Sequence, residues 1–329
     1  MRARPPIRTA IALAATALIV VTGANAVTEV PIVSRGGGSD HFSTVRATTP
    51  TPTDRTVAFI ASVDDYADAL AAAPATTLEH NRVLLVSRTA IPPSTAVELT
   101  RIRPATIAVL GGTDAVDDAV VSALRRYTTG SVTRIVGRDH DATAAAISAT
   151  AFGPGVSAVY VASDHSLVDA LLAGAAASRT GVPLLLIDRD GIAPPIAREL
   201  IRLRPASIII VGGIFAVSEK IAHLLGAYTT GPVTRETGAD EYATAVAVSR
   251  VSFSTTASTV YLVMRSTLTP ALLTRAVAAG LAGGPLLLVP GTCIPLKVSA
   301  EIARLNPTSV TILGETGGIS SAMASISPC

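Results

Sequence analysis

The chain has 329 residues, of which 49% are hydrophobic and 15% are charged. This composition predicts two or three globular domains with substantial cores and excludes an intrinsically disordered chain. The formal net charge is only +2, and basic and acidic residues are mixed along the chain. Such a balance argues against nucleic acid as the main partner.

The first 26 residues have the pattern of a secretory signal peptide. Arg2, Arg4 and Arg8 precede an apolar run over residues 9–22, and Ala24-Asn25-Ala26 supplies an A-x-A cleavage pattern. The apolar run is shorter than the roughly 20 residues that a membrane span requires. We therefore expect residues 1–26 to be cleaved, with an uncleaved anchor as the alternative. No later segment predicts a transmembrane helix.

An internal repeat organises the rest of the chain. The stretch VTRIVGRDHDATA, which begins at Val132, returns as VTRETGADEYATA at Val233, 101 residues later. A degraded copy, VSRGGGSDH, begins at Val33. RPATIAVLGGTDAV from Arg103 likewise matches RPASIIIVGGIFAV from Arg204. This spacing predicts a signal peptide at 1–26 and three modules at 28–129, 130–230 and 231–329.

The motif between modules suggests a closed arrangement. TTGxVTR leads from the first module to the second and from the second to the third, whereas the N-terminal EVPIVSR has no module before it. We therefore expect residues 30–33 to complete the third module and to close a ring of three. The chain would then be monomeric, with an internal pseudo-trimer.

The second module illustrates the elements that each copy predicts. Continuous apolar runs predict strands, and Ala- and Leu-rich segments with helical spacing predict helices. The predicted strands are 158–162, 183–187 and 207–211, and the predicted helices are 167–178, 194–203 and 217–225. Strands that are apolar on both faces and alternate with helices indicate a parallel sheet covered on both sides. The fold class is therefore α/β, with about four strands in each Rossmann-like module.

Two glycine pairs follow strands and precede helices, where a nucleotide phosphate could bind. These are Gly111-Gly112 and Gly212-Gly213. The dinucleotide and Walker patterns are both absent, and the third copy reads Gly314-Glu315, whose carboxylate would repel a phosphate. A tight turn that needs positive φ is the better interpretation, and no cofactor is predicted.

No catalytic constellation emerges from the sequence. The five histidines are scattered without metal-ligand spacing. Asp164, His165 and Ser166 stand together near Asp169, but neighbours in sequence seldom converge as a triad, so we interpret this run as a solvated loop. Asp68 and Asp169 occupy matching places near helix starts, where helix capping or ligand contact would explain them.

The repeated charges in the VTR motif allow two interpretations. Arg134 and Arg235 precede the glycine of each copy, and Asp139 and Asp240 follow it. In the first interpretation, each arginine pairs with its aspartate and fixes the joint between modules. In the second, the arginines face an anionic polymer.

The remaining composition bears on the compartment and on the ligand. Cys293 and Cys329 are the only cysteines, and in an exported protein such a pair predicts one disulfide. The chain has no Trp, six Tyr and five Phe, so ring stacking on neutral sugars is poorly supplied. A glycan ligand would therefore be bound by charges, hydroxyls and backbone groups.

In register, these motifs resemble the cell wall binding repeat 2 family. The resemblance rests on VTR-x-x-G with its following Ala-Thr-Ala, on Asp-Ala-Leu at Asp68 and Asp169, and on the apolar strand that ends in Gly-Gly with Ala-Val after it. It also rests on Pro-Leu-Leu-Leu at two places, namely Pro183, Leu184, Leu185 and Leu186, and Pro285, Leu286, Leu287 and Leu288. The first module has Arg82-Val83-Leu84-Leu85 there instead. The resemblance covers essentially the whole chain after residue 26.

The resemblance implies an exported, non-catalytic module on the cell surface. Three such repeats are expected to pack with pseudo-threefold symmetry and to hold the protein non-covalently on an anionic secondary wall polymer, with the Pro-Leu-Leu-Leu segments implicated in attachment. A buried parallel strand would have the same composition. The alternatives are a soluble exported α/β receptor for a small ligand or nucleotide, and the binding part of a wall amidase system.

Overall fold

The computed structural model describes residues 18–22, 26–32, 56–77, 81–253, 257–265, 284–313 and 329. Within these residues the strands form three sheets. Two short N-terminal strands come first in the chain, β1 (Leu18–Thr22) and β2 (Ala26–Ile32). They belong to the sheet of the last unit in the sequence.

The first unit is a four-stranded parallel sheet with the order β4-β3-β5-β6. Its strands are β3 (Val57–Ser62), β4 (Arg82–Val86), β5 (Thr106–Leu110) and β6 (Val132–Ile135). The helices between them are α1 (Tyr66–Ala72), α2 (Pro93–Ile102) and α3 (Asp118–Leu124). The near-complete burial of β3, β4 and β5 explains why these strands are apolar on both faces.

The second unit repeats this order with β7, β8, β9 and β10 in place of β3, β4, β5 and β6. It begins with α4 (His140–Ala151) and continues through β7 (Val159–Ser163), α5 (Leu167–Thr180), β8 (Leu184–Ile187), α6 (Pro194–Leu203), β9 (Ile208–Val211), α7 (Glu219–Leu225) and β10 (Val233–Glu236). The predicted strands and helices of this module are therefore confirmed, with shifts of one or two residues at most ends.

The third unit has the same core of three parallel strands. Its described elements are α8 (Glu241–Ser252), β11 (Thr259–Met264), β12 (Leu286–Val289), α9 (Leu296–Leu305) and β13 (Ser309–Leu313). β11 pairs with β12 on one side and with β13 on the other, parallel in both cases. The predicted fold class, three tandem α/β parallel-sheet units, is confirmed.

The fourth position of the third sheet is filled from the N-terminus. β1 pairs antiparallel with β13, with Ile19 opposite Val310, and β2 pairs antiparallel with β1 at the edge. An N-terminal strand thus joins the third unit, as expected, but β1 lies within residues 1–26, so it would be lost from a chain whose signal peptide is cleaved. The expected strand, residues 30–33, does not take the place beside β13, because β1 lies between them. Val33 lies outside the described residues.

Neighbouring units are joined by strand–turn–helix segments that they share. β6 completes the first sheet by pairing with β5, and β10 completes the second by pairing with β9. The helix after each of these strands packs on the next unit, since α4 lies against β8 and α6, and α8 lies against β12 and α9. One strand–turn–helix segment therefore belongs to two units at once. The division at residues 130 and 231 stays a prediction.

The three units share a hydrophobic core. One continuous cluster of buried residues includes Leu70 of α1, Leu171 of α5 and Val260 of β11. α5 lies at its centre, where a Cβ added to Gly174 would lie 3.5 Å from Cδ2 of Leu184 and 3.6 Å from Cδ2 of Leu70, which are ordinary van der Waals distances. A side chain larger than that of alanine would crowd the contact between α1 and α5.

Candidate functional site

The repeated VTR motif forms the joint between a strand and the next helix. Asp139 caps α4, because its side chain accepts a hydrogen bond of 2.9 Å from Ala142 N, and Asp240 caps α8 through Ala243 N at 2.7 Å. Thr143 is buried and accepts a hydrogen bond of 2.9 Å from Gly137 N. A Cβ on Gly137 would overlap Ala142. The motif is thus explained residue by residue as a helix start.

The predicted pairing of Arg134 with Asp139 is wrong. Arg134 donates to the carbonyl oxygens of Gly111, Gly112 and Val116 at 2.8–2.9 Å, and its ion pair is with Asp118 at 2.9 Å. The reason is strand order: β6 lies beside β5, so the guanidinium reaches the turn that ends β5 before it reaches its own helix. Asp139 lies 3.5 Å from Arg138 instead.

The second copy behaves in the same way. Arg235 donates to Gly212 O at 3.0 Å and lies 3.2 Å from Glu219, whereas Asp240 pairs with Lys297 at 2.5 Å. The side chains of Arg134 and Arg235 are only 18% and 15% exposed. Their guanidinium groups bind the glycine turns of their own units, which leaves little of them for a polymer.

The glycine turns have the geometry that the sequence predicted. Gly111 has φ of 83° and Gly212 has φ of 110°, in the region that favours glycine. The turn carbonyls accept hydrogen bonds from the arginines just described. An anion would therefore meet carbonyl oxygens there, which agrees with the interpretation as a structural turn.

The Pro-Leu-Leu-Leu segments lie in the core. Leu184, Leu185 and Leu186 belong to β8 and are at most 4% exposed, and the corresponding leucines of β12 are equally buried. Pro183 and Pro285 precede these strands and are also buried. Polymer contact by these residues stays a prediction, and their burial favours the alternative that they are core strands.

A small pocket lies at the junction of the first and second units. It is lined by residues of α1, α4, β8 and the loop after β7, namely Ala67, Asp68, His140, Asp141, Ala144, Asp164 and Leu186. Asp65 lies beside the pocket, with Oδ2 3.6 Å from Nδ1 of His140. The carboxyl ends of the parallel strands β3, β7 and β8 converge on this place, which is where ligands bind in doubly wound folds.

Asp68 is the most perturbed group in the pocket. Only 2% of it is exposed, and it makes no hydrogen bond or ion pair with the residues that the structure describes. Burial, with repulsion from Asp65, raises the pKa of Asp68 to about 7 although His140 opposes the rise. Burial and the nearby Asp164 also raise the pKa of Asp141. Negative charge is therefore poorly balanced at this junction.

The junction of the second and third units has the same architecture with different charges. Asp169 corresponds to Asp68, but it accepts a hydrogen bond of 2.7 Å from Ser166. Glu241 lies 2.8 Å from Nε of Arg265. Arg265 occupies the place of Asp164 in the repeat. At the second junction, carboxylates are therefore paired with cations or a hydroxyl donor, whereas no Lys or Arg lines the pocket at the first.

The run Asp164, His165 and Ser166 does not form a triad. His165 lies 3.6 Å from Asp164 and 3.4 Å from Asp188, whereas the Ser166 hydroxyl donates to Asp169. The serine hydroxyl therefore donates to a carboxylate and not to the imidazole. The expectation of a solvated loop agrees with this geometry.

The pocket at the first junction and the cation Lys297 at the second were not predicted from the sequence. No role was predicted for Asp65, His140 or Lys297, because sites were sought in what the three copies share. The sequence nonetheless shows that the copies differ at these places. Asp65 corresponds to Ser166, His140 to Glu241 and Asp164 to Arg265, with an offset of 101 residues within each pair. Differences between copies marked the junctions where the units diverge in charge.

The predicted disulfide is present. Cys293 and Cys329 are joined, and Cys329 N donates to Ile294 O at 2.9 Å. The C-terminal residue is thereby attached to the loop that precedes α9. Among the helices that the structure describes, none is long and apolar enough to cross a membrane.

The fold is built from three tandem Rossmann-like units. The family model for cell wall binding domain 2 (CWB2) matches residues 7–121, 134–222 and 235–324. The chain belongs to this family and is a cell-wall-binding protein. The predicted resemblance is thereby confirmed.

Individual relatives agree with the family assignment. The chain is 26% identical over 294 residues to the N-acetylmuramoyl-L-alanine amidase LytC of Bacillus subtilis (strain 168), covering 89% of this chain and 57% of LytC. Its fold is similar to Cwp6 from Clostridium difficile, with a TM-score of 0.71 and 22% identity, and to Cwp8 from the same organism, with 0.71 and 21%.

The chain spans only part of each of these proteins. The structural match to Cwp6 covers 83% of this chain and 44% of Cwp6. The match to Cwp8 covers 84% of this chain and 47% of Cwp8. The shared part is the three-unit fold.

Proposed function

We propose that this protein is exported and attaches non-covalently, without catalysis, to an anionic secondary polymer of the cell wall. The observation that carries the proposal is the match of all three repeats to a wall-binding family. The signal-peptide pattern in residues 1–26 supports export. The separation of Ser166 from His165, which removes the most suggestive run as a triad, supports a binding role over catalysis.

The relation to LytC favours a second aspect of the same function. LytC is an amidase by name, and this chain matches about half of it. We propose that this chain corresponds to the wall-binding part of such a system. Wall binding without release of peptide from the wall is the expected result when the purified chain is incubated with intact peptidoglycan.

The contact surface that we favour lies at the junction of the second and third units. Lys297 and Arg265 flank the start of α8, where they pair with Asp240 and Glu241. Their side chains are 39% and 50% exposed, so each can also reach a ligand. Phosphate or carboxylate groups of a polymer would bind these cations with charge-assisted hydrogen bonds. Arg134 and Arg235 rank behind them because they are largely buried.

Sedimentation with isolated cell walls tests the function. The full chain is incubated with walls before and after mild acid removes their secondary polymers, and the bound fraction is measured. We expect binding to untreated walls and its loss after extraction. Equal binding to both preparations would exclude the polymer as ligand, and binding to neither would overturn wall attachment.

Paired substitutions test the contact surface. Arg265→Ala with Lys297→Ala removes both cations at the second junction, whereas Arg88→Ala with Arg189→Ala removes two cations that pair with carboxylates elsewhere on the surface. We expect the first pair to weaken wall binding at least about tenfold, because it removes charge-assisted hydrogen bonds to the polymer, and the second to change it little, because those arginines lie outside the proposed contact surface. Equal losses would contradict the proposed surface.

A further inference from the structure

The pocket between the first and second units has a ligand set that the wall-binding function does not use. One oxygen each of Asp65 and Asp68 and one ring nitrogen of His140 lie within 4.8 Å of one another. Asp65 and Asp68 come from the first unit, and His140 starts the helix that packs on the second. Two carboxylates and one imidazole are a frequent donor set for divalent metals.

A second observation points to a ligand at this place. Asp68 is only 2% exposed. It lines the pocket without a hydrogen-bond or ion-pair partner among the described residues. Burying a carboxylate without a partner is costly, and such groups are ordinarily paired or coordinate a metal. Oδ1 of Asp164, which lines the same pocket, is also buried without a hydrogen-bond donor.

The other junction shows what balances these charges elsewhere in the chain. There Ser166 donates to Asp169 and Arg265 pairs with Glu241. In the first junction, Asp65 replaces the serine and Asp164 replaces the arginine, so a donor and a cation are both exchanged for carboxylates. Four carboxylates, those of Asp65, Asp68, Asp141 and Asp164, then lie in or beside the pocket, where His140 is 3.6 Å from Asp65 and the exposed His165 is 3.6 Å from Asp164, and no Lys or Arg lines the pocket.

We propose that this pocket binds one divalent transition-metal ion, with Asp65, Asp68 and His140 as ligands and Zn²⁺ as the best match. A mixed set of oxygen and imidazole nitrogen suits Zn²⁺ better than Ca²⁺ or Mg²⁺, which take oxygen ligands. Metal–ligand distances near 2.1 Å require the three atoms to draw together by roughly 1 Å. His140 is 72% exposed, so its ring is free to turn toward the ion.

The ion would join the first two units. It would neutralise carboxylates that now repel one another and would tie α1 to the start of α4. Metal binding should therefore raise the temperature of unfolding, because the ligand set is complete only when the two units are packed. This role is independent of the wall polymer, and its test contains no cell wall.

Calorimetric titration of the full, untagged chain with ZnCl2, MnCl2 and CaCl2 tests the proposal, together with thermal unfolding in each salt. We expect one Zn²⁺ ion per chain, a higher unfolding temperature with Zn²⁺ and weaker binding of Ca²⁺. His140→Ala and Asp68→Asn should each raise the dissociation constant for Zn²⁺ at least about tenfold. Without metal, Asp68→Asn should unfold at the same or a higher temperature, because it removes an unbalanced buried charge.

His165→Ala is the matched control. His165 lies near Asp164 and Asp188 in an exposed cluster, and its loss should leave Zn²⁺ binding unchanged. The proposal is overturned if Zn²⁺ does not bind, if His140→Ala binds it as tightly as the parent chain, or if His165→Ala abolishes binding. None of these results would bear on wall attachment, which is measured separately.

Discussion

At the residue scale, the charged side chains of the repeat act on backbone groups. Arg134 and Arg235 bind carbonyls of glycine turns, and Asp139 and Asp240 bind the free N–H groups of helix starts. Each of these roles requires a single charged side chain, so the arginine and the aspartate of one motif need not contact each other. The sequence predicted which positions mattered, but not their partners, because partners depend on which strand lies beside which.

Arg134→Ala should lower the free energy of unfolding by about 2–4 kcal/mol, since three turn carbonyls lose a charged donor in a largely buried place. Arg138→Ala is the matched control, because that side chain is 89% exposed and should change stability by less than about 0.5 kcal/mol. Chemical denaturation of both variants measures the difference. Equal stabilities would show that the hydrogen bonds to the turn contribute nothing.

Glu301 predicts how stability depends on pH. Burial alone would raise the pKa of Glu301, but hydrogen bonds from Arg304, Ser249 and Arg250 hold it below the ordinary value of 4.5. A lowered pKa in the folded state stabilises the fold above the unfolded pKa, and that contribution is lost as pH falls through the folded value. The unfolding temperature should therefore drop as pH falls below about 4.5.

Glu301→Gln is the variant that isolates this effect. It should be less stable than the parent chain at pH 7, because the two arginines and Ser249 lose an ionised acceptor. Its stability should fall less steeply than that of the parent between pH 5 and pH 3. Parallel pH profiles for the two proteins would assign the acid sensitivity to other carboxylates.

At the element scale, the strand–turn–helix joint is the unit that the repeat preserves. Helix 194–203 was predicted to its ends, because its periodicity and the proline in its first turn are visible in the sequence; the structure adds that Arg204 ends it in a left-handed conformation with φ of 46°. The membership of β6 in the first sheet was not predicted. A sequence repeat can be divided at any recurring motif, whereas a sheet is divided by its hydrogen bonds.

Gly137→Ala tests the close packing of this joint. An added Cβ would overlap Ala142 and lie 2.5 Å from Thr143 N, so the start of α4 must move. We expect a loss of roughly 2 kcal/mol or more in the free energy of unfolding. Gly153→Ala is the control, because nothing lies within 4 Å of its added Cβ and its stability should change little.

The disulfide secures the end of the third unit. It closes a segment with a sequence separation of 36 residues, for which loop-closure entropy gives a stabilisation of roughly 3–4 kcal/mol. Replacement of both cysteines by serine should lower the unfolding temperature, as measured in non-reducing buffer. A reducing agent should lower the temperature of the parent chain alone. If the agent affected both proteins equally, its action would not involve this bond.

At the scale of the whole molecule, three units of one fold present unlike junctions. The first junction is acidic around Asp68, whereas carboxylates of the second are paired with Arg265 and Lys297. The number of units and their fold class could be predicted, because repeat spacing and apolar runs are properties of the sequence itself. The character of the junctions could not, since it arises where residues from different units meet.

The most direct test of the central claim is a titration of the full chain with the polymer that mild acid releases from the wall, at two salt concentrations. We expect saturable binding that weakens as salt rises, because the interaction is between cations of the protein and anions of the polymer. Released polymer should also displace the chain from untreated walls. A chain that ignores the polymer, yet still sediments with acid-stripped walls, would contradict attachment through an anionic polymer.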